Sequence, residues 1–241
     1  MSLFSTLNTA TSGLVVSSSS LGVIGDNIAN INTTAFRAEK ILFREYLVET
    51  PEGDRMSYVE DYGVARDLRS GPLRPTANPL DIAISGNGYF QVQTDDGEEY
   101  TRNGHFRLDD EGRVVTQSGK PVLDEDGNEI ELGETDGLIT ISKDGTITTG
   151  EGEEFKLGVY QFVDEQRMKK TGEGLYKSDE DPEQVEDPEV MQGMLEDSNV
   201  EPISEVTRMI EIQRAYEGMQ KLMNTDHDLQ RRAIERIGKI V

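Results

Sequence analysis

Two histidines and no cysteine set the range of chemistry open to this 241-residue chain. Without cysteine there is no thiolate nucleophile, no disulfide and no thiolate metal ligand. A Ser–His–acid arrangement has two candidate bases, His105 and His227. His105 follows a turn in Thr101-Arg102-Asn103-Gly104-His105-Phe106-Arg107, where a strand residue on a half-exposed sheet is the plainer reading. His227 stands between Asp226 and Asp228, on what reads as the wet side of a helix. Nothing in the spacing joins the two histidines as a metal pair.

Two acidic clusters invite a calcium reading: Asp124-Glu125-Asp126-Gly127-Asn128 and Asp109-Asp110-Glu111-Gly112. An EF-hand loop needs Gly at its sixth position and Glu at its twelfth. Counting from Asp124, the Gly falls fourth, and hairpin turns account for both clusters. Ser85-Gly86-Asn87-Gly88 is a fragment of a glycine-rich phosphate loop without its Lys or its helix, so it too reads as a turn. The expectation is no catalytic residue, no cofactor and no metal, and a non-enzyme.

With chemistry set aside, the elements that would position a binding surface become the subject. Residues 3–31 carry Leu3, Leu7, Ala10, Leu14, Ser17, Leu21, Ile24, Ile28 and Ile31 in alternating steps of four and three. That spacing predicts a helix with a heptad seam and one polar slot at Ser17. Asp26 is the only charged residue among the first 36, so the remaining helix surface is suited to protein on several sides rather than to water. Gly13, Gly22 and Gly25 each cost about 1 kcal/mol against Ala in a helix interior, and such a helix orders when it docks.

The other end repeats the pattern. Pro202 suits a first helical turn. Met209, Ile212, Tyr216, Met219, Met223, Ala233, Ile237 and Ile240 again step by threes and fours, with Asp226 and Gln230 as polar interruptions. Net charge follows the same division. Residues 1–50 sum to −1, residues 191–241 to −2, and residues 51–190 to −20 of the total −23. That balance argues against nucleic acid and against anionic membrane surfaces. No apolar run approaches the roughly 20 residues needed to cross a bilayer, and the first residues lack the basic leader and apolar block of a secretory signal.

Between the ends the pattern is β. Runs at 81–84, 89–92, 114–116, 138–141 and 157–163 alternate apolar and polar residues. They are separated by Asp96-Gly97, Asn103-Gly104, Glu111-Gly112, Ser118-Gly119, Asp126-Gly127, Asp136-Gly137 and Asp144-Gly145, turn dipeptides whose Gly supplies positive φ. A meandering antiparallel sheet or barrel follows. Residues 35–48 fit no period and read as extended or partly helical connection, with a turn at Pro51-Glu52-Gly53-Asp54. The fold expected is α+β: discontinuous N- and C-terminal heptad helices forming a coiled-coil stem, with an inserted antiparallel all-β domain. The boundaries drawn are 1–35 with 195–241 for the stem, 36–74 for a connecting segment, 75–180 for the β domain and 181–194 for an acidic linker.

Three motifs resemble the signatures of the bacterial flagellar rod and hook proteins. Gly25-Asp26-Asn27-Ile28-Ala29-Asn30-Ile31-Asn32-Thr33-Thr34-Ala35-Phe36-Arg37 closes the first helix. Asn78-Pro79-Leu80-Asp81-Ile82-Ala83-Ile84-Ser85-Gly86-Asn87-Gly88-Tyr89-Phe90 is the second, followed by Tyr100-Thr101-Arg102-Asn103-Gly104. Ser198-Asn199-Val200, with Met209-Ile210-Glu211-Ile212-Gln213-Arg214-Ala215-Tyr216-Glu217, is the third. Asp26 stands where the family usually has Asn and Ala35 where it usually has Gly. If that Gly serves a positive-φ turn, Ala35 implies a differently built connection. The family positions are Asn27, Asn30, Asn32, Thr33, Phe36, Asn78, Leu80, Asp81, Gly86, Gly88 and Phe90.

The resemblance implies a structural subunit of the flagellar basal-body rod, in the periplasmic space, exported by the flagellum's type III apparatus without a cleavable signal. It implies assembly with copies of itself and with proximal and distal rod subunits, terminal helices inside and the β domain outside, without membrane insertion. The chain has no room for the further domain of a hook protein and has the β domain that the smallest rod proteins lack. Its length and the Asn78-Pro79-Leu80-Asp81 run lean to a proximal rod member, with a distal one second. The seam residues are Leu7, Leu14, Leu21, Ile24 and Ile28, facing Ile212, Tyr216, Met219 and Met223. Two rivals remain at this stage: a secreted β-domain binding module with coiled-coil arms, and a hydrolase using His105.

Overall fold

The computed structural model describes residues 3–49, 55–133 and 139–237. The chain is α+β and divides into two units: residues 1–29, 39–67 and 201–241 in the first, residues 30–38 and 68–200 in the second.

The first unit holds both helices, α1 (Leu3–Ala29) and α2 (Pro202–Ile237), and an antiparallel ribbon of β1 (Glu39–Glu49) and β2 (Arg55–Arg66). The helices lie against each other and α1 also touches both ribbon strands. Their approach is close: a Cβ added at Gly13 would lie 2.7 Å from Met219 Sδ. So Gly13, a weak residue for the isolated helix, makes room for the partner. Ser17 and Ser20, buried in α1, return their hydroxyls to the Gly13 and Val16 carbonyls at 2.8 and 2.9 Å, satisfying polar groups that would otherwise cost stability.

The ribbon replaces the expected loose connection. Its register shifts between Leu42 and Phe43, a bulge that breaks strict alternation. Leu42, Phe43, Tyr46, Tyr62 and Val64 are all exposed, which is why no two-residue period is visible in the sequence. The turn expected at 51–54 lies outside the described residues.

The second unit is β apart from one 3-10 turn at Glu165–Arg167. Its strands are β3 (Leu73–Pro75), β4 (Ile82–Ser85), β5 (Tyr89–Thr94), β6 (Gly97–Thr101), β7 (Arg107–Leu108), β8 (Val114–Val115), β9 (Thr140–Ile141), β10 (Thr146–Thr148) and β11 (Glu154–Lys156). They continue with β12 (Val159–Gln161), β13 (Lys169–Gly172), β14 (Leu175–Lys177), β15 (Glu183–Gln184), β16 (Glu189–Gln192) and β17 (Met194–Glu196). The largest sheet has the order β13-β14-β6-β5-β12-β15. It is antiparallel but not a simple meander, because β5 pairs with β12 and β14 returns to β6.

The core gathers Ile82, Ile84, Phe90, Val92, Phe106, Val114, Val122, Ile130, Ile147, Leu157 and Val159. Phe90 and Phe106 meet edge to face at 5.1 Å, and burying a side chain of this size contributes about 1.5–3 kcal/mol. A second cluster of Tyr89, Tyr100, Phe162, Met168 and Tyr176 is built from edge-to-face ring contacts.

Five expected turn glycines, Gly97, Gly112, Gly119, Gly127 and Gly145, take φ between 79° and 106°; Gly137 lies outside the described residues. Gly104 differs. A Cβ there would fall 1.7 Å from the Ile82 carbonyl oxygen, and the Gly104 carbonyl accepts from Ile82 N–H at 2.9 Å. Close backbone approach, not turn geometry, selects glycine at this position.

The acidic segment 181–194 is not a linker. Within it β15 pairs with β12, β16 with β4, and β17 begins at Met194 to pair with β3. Val190 is buried in the core and Val185 packs against it, while the acidic residues between them face water. Residues 30–35 and 195–200, assigned from sequence to the stem, also fall in the β unit.

Candidate functional site

In the first unit the apolar residues singled out by spacing are buried or half-buried wherever their side chains are described. On α2, Met209, Ile212, Tyr216, Met219 and Met223 are half-buried, and the residues between them are exposed. On α1, Ile24 is buried and Leu14, Leu21 and Ile28 are half-buried. Leu7 lies within α1, but its side chain is outside the described set, as are those of Ala233, Ile237 and Ile240. Ser20, Val23, Ile24, Phe43 and Ile212 line a cavity of about 240 Å³ with Arg208 and the start of β1.

Asn27 ties three elements of this unit. Its side-chain oxygen accepts from Glu39 N–H at 2.8 Å, and its amide donates to the Glu39 carbonyl at 2.8 Å and to Glu205 Oε2 at 3.3 Å. Asn27 is fully buried and Glu205, in the first turn of α2, nearly so. Glu205 also pairs with Arg208 at 3.3 Å and suits the positive end of the helix dipole. No seam rule points to Glu205, because its partner lies 178 residues away.

In the second unit, the family positions converge where the chain enters and leaves the β fold. Phe36 and Ala38 pack with Val200, and Ile31 joins them. Asn199 accepts from Ala38 N–H at 2.7 Å and donates to the Arg69 carbonyl at 2.7 Å. Thr33 donates to the Asn30 side chain at 3.0 Å, while Asn32 is exposed. Ala35 carries the connection at φ 57°, the left-handed region, with its N–H donated to the Glu196 carbonyl at 2.7 Å. The connection is therefore of the positive-φ kind after all, built with Ala in place of Gly.

Beneath this lies a buried ionic cluster that the sequence reading did not find. Glu196 is 2% exposed and Arg37 and Arg102 are each 4% exposed. One Glu196 oxygen takes Arg37 Nη1 at 3.0 Å and Gly71 N–H at 2.9 Å. The other takes Arg102 Nε and Nη2, both at 3.0 Å. Arg102 further donates to the Gly88, Gly86 and Ile84 carbonyls. It thus holds from inside the turn between β4 and β5 that contains family positions Gly86 and Gly88. Arg37 Nη1 also reaches the Arg69 carbonyl, and its Nε has no hydrogen-bond partner. Burial lowers the Arg37 pKa, with the Glu196 carboxylate opposing that effect. The visible signal was Arg37 itself, the first basic residue of the chain, inside one motif, with Arg102 inside another.

Asp81 shapes the second motif. It accepts from the Asn78 amide at 2.9 Å and pairs with His105 Nδ1 at 2.6 Å, and Asn78 also caps Leu80 N–H. Leu80 and Phe90 enter the core. His105 is thus engaged with Asp81 beside a bridge between their backbones. His227 is exposed. Among the described residues no group of three or more His, Asp and Glu is placed to hold a metal ion, and no helix is long and apolar enough to cross a membrane. Asp109 and Asp124 accept backbone N–H groups of their own turns, as hairpins require.

Residues 7–37 match the family described as flagella basal body rod protein. Residues 83–149 match the flagellar hook protein FlgE/F/G D1 domain, and residues 191–236 the flagellar basal body rod FlgEFG protein C-terminal family. The chain is 41% identical to the flagellar basal-body rod protein FlgF of Caulobacter vibrioides, over 91% of this chain and 92% of the relative. It is 35% identical to FlgF of Rhizobium meliloti over 90% and 91%. FlgG of Bacillus subtilis is 30% identical over 90% and 93%.

Proposed function

The chain belongs to the flagellar basal-body rod proteins, and from that premise we propose that it is a structural, non-enzymatic subunit of the rod, most like the FlgF proteins. The observation that carries this reading is the 41% identity to a rod protein along nearly the full length of both chains. The three family matches, in order along the sequence, support it.

In this reading the subunit assembles with copies of itself and with other proximal and distal rod subunits. It reaches the periplasmic part of the basal body through the flagellar type III export apparatus, with no membrane insertion and no nucleic acid. The terminal helices form a coiled-coil stem at the inner wall, with Leu7, Leu14, Leu21, Ile24 and Ile28 facing Ile212, Tyr216, Met219 and Met223. The half-burial of the α2 seam and the near absence of charge in α1 support that arrangement. A distal position is the second reading, favoured by the 30% identity to a FlgG protein over similar coverage.

Electron microscopy of cells lacking the gene tests the function. Cells with neither hook nor filament are the expected result, and truncated basal bodies isolated from them separate a proximal from a distal position. Normal flagella would overturn the reading.

A further inference from the structure

The two edges of the six-stranded sheet carry opposite charge. Among the described residues β13 has β14 as its one strand neighbour, and β15 has β12. Around β13 and β14, residues 167–180 hold Arg167, Lys169, Lys170 and Lys177 against Glu173, Asp179 and Glu180, the last two paired to Lys169 and Arg167. Around β15, residues 181–187 hold four acidic residues and no basic one. A basic edge is unexpected in a middle region that sums to −20.

We propose that the basic β13 edge accepts the acidic β15 edge of a second copy of this chain, so that the sheet continues from one subunit to the next. Strand direction supports this occupant. All five junctions of the sheet are antiparallel, so β13 and β15 run in opposite directions. The β15 of a neighbouring copy laid beside β13 therefore continues the antiparallel alternation without inversion.

Charge selects the same arrangement. Two-fold pairing of β13 with β13, or of β15 with β15, sets like charges opposite one another and is disfavoured. Head-to-tail pairing matches them, and a contact of that type leaves an open edge at each end for further copies. All four β13 residues, with Glu183 and Gln184 of β15, are exposed. The existing ion pairs Lys169–Asp179 at 2.7 Å and Arg167–Glu180 at 3.1 Å lie on the surface, where such pairs contribute little and exchange readily. Pro182 and Pro188 bracket β15, which keeps the contact short. It is weak and salt-sensitive on that account.

The inference rests on the rod reading in that it requires neighbouring copies, yet it lies outside the helices. The cysteine-free chain allows a direct test. Full-length Lys169→Cys and Glu183→Cys proteins, mixed under mild oxidation at low salt, are expected to form the 169–183 disulfide several-fold in excess of either homodisulfide. Raising NaCl to about 0.5 M lowers that yield. Adding Arg167→Glu to the first protein lowers it as well, and adding Glu186→Arg to the second restores it. Equal yields of the three disulfides, or a yield indifferent to both salt and charge, overturn the proposal. Leu21→Asp in both proteins removes the helix contribution and leaves the excess in place. Absence of the 169–183 product, alongside cells that lose hook and filament without the gene, defeats the edge contact and leaves the rod reading standing.

Discussion

Asn27 pairs with the backbone of Glu39 in both directions, accepting its N–H and donating to its carbonyl, each at 2.8 Å. A side-chain amide here does what a neighbouring strand would do, and it does so from a helix. Asn27→Ala removes both hydrogen bonds to the part-buried Glu39 backbone, at about 0.5–1.5 kcal/mol for each. The expected outcome is loss of the helix signal in urea at lower concentration than wild type, with near-UV bands of the β unit unchanged. Asn27→Asp is expected to be worse at neutral pH than in mild acid, because its carboxylate sits beside that of Glu205.

Glu196 neutralises two buried guanidinium groups. Glu196→Gln leaves both charges short of a counter-ion and is expected to cost about 3–5 kcal/mol. Replacing the cluster wholesale would cost far less, as buried ion pairs often break even against apolar residues of similar volume. Denaturant unfolding of Glu196→Gln beside a triple Met or Leu variant checks the difference.

Ala35 tests three opposed effects. Relief of the left-handed conformation favours Gly by about 1–2 kcal/mol. Loss of a buried methyl, near 0.8 kcal/mol, and the larger freedom of Gly in the unfolded chain oppose it. Ala35→Gly is therefore expected to change stability by less than about 1 kcal/mol. Ala35→Val, β-branched at φ 57°, is expected to cost about 2 kcal/mol or more. Thermal melts of the two variants decide it.

Tyr100 contributes to the alkaline limit of the second unit, beside Tyr160, whose pKa burial also raises. Burial first, with Glu98 and Tyr160 adding to it, pushes the Tyr100 pKa up to about 12. A phenol that resists ionisation when folded binds its proton more tightly than in the unfolded chain. Its contribution is complete below about pH 10 and is lost as pH rises towards 12. Spectrophotometric titration should show this tyrosine ionising late, and Tyr100→Phe should flatten the alkaline fall in stability.

Leu21→Asp places a charge on a half-buried position of α1 and leaves the β unit untouched. Normal near-UV spectra with failed incorporation into basal bodies are expected. Limited proteolysis should yield a fragment whose C-terminal end lies near residue 200 rather than 180, because β16 and β17 belong to the sheet system.

The parts of the fold visible in sequence were those that repeat locally. Leu14, Leu21 and Ile28 advertise a helix face by spacing alone, and Asp96-Gly97 or Asp144-Gly145 advertise a turn by backbone freedom. What stayed hidden depends on partners far along the chain. The ribbon exposes Phe43 and Tyr62 on an irregular register, so no alternation betrays it. The 181–194 segment carries so much acid that Val185 and Val190 do not read as strand anchors. Arg37, Arg102 and Glu196 have no local pattern, since a buried cluster is assembled by topology. Asn27, Asn30 and Phe36 were reached through the family resemblance, and their contacts became clear only with Glu39, Glu205 and Val200 in place.

The closing strands have a consequence for timing. β3 waits for β17, β4 waits for β16, and Arg37 and Arg102 wait for Glu196. These pairings join early residues to late ones, the kind of contact that slows folding. A chain whose last fifty or so residues are still in transit lacks those partners, and its second unit keeps unpaired edges and uncompensated charges. In such a chain the β3 and β4 pairings and the Glu196 cluster are the last parts of the second unit to close.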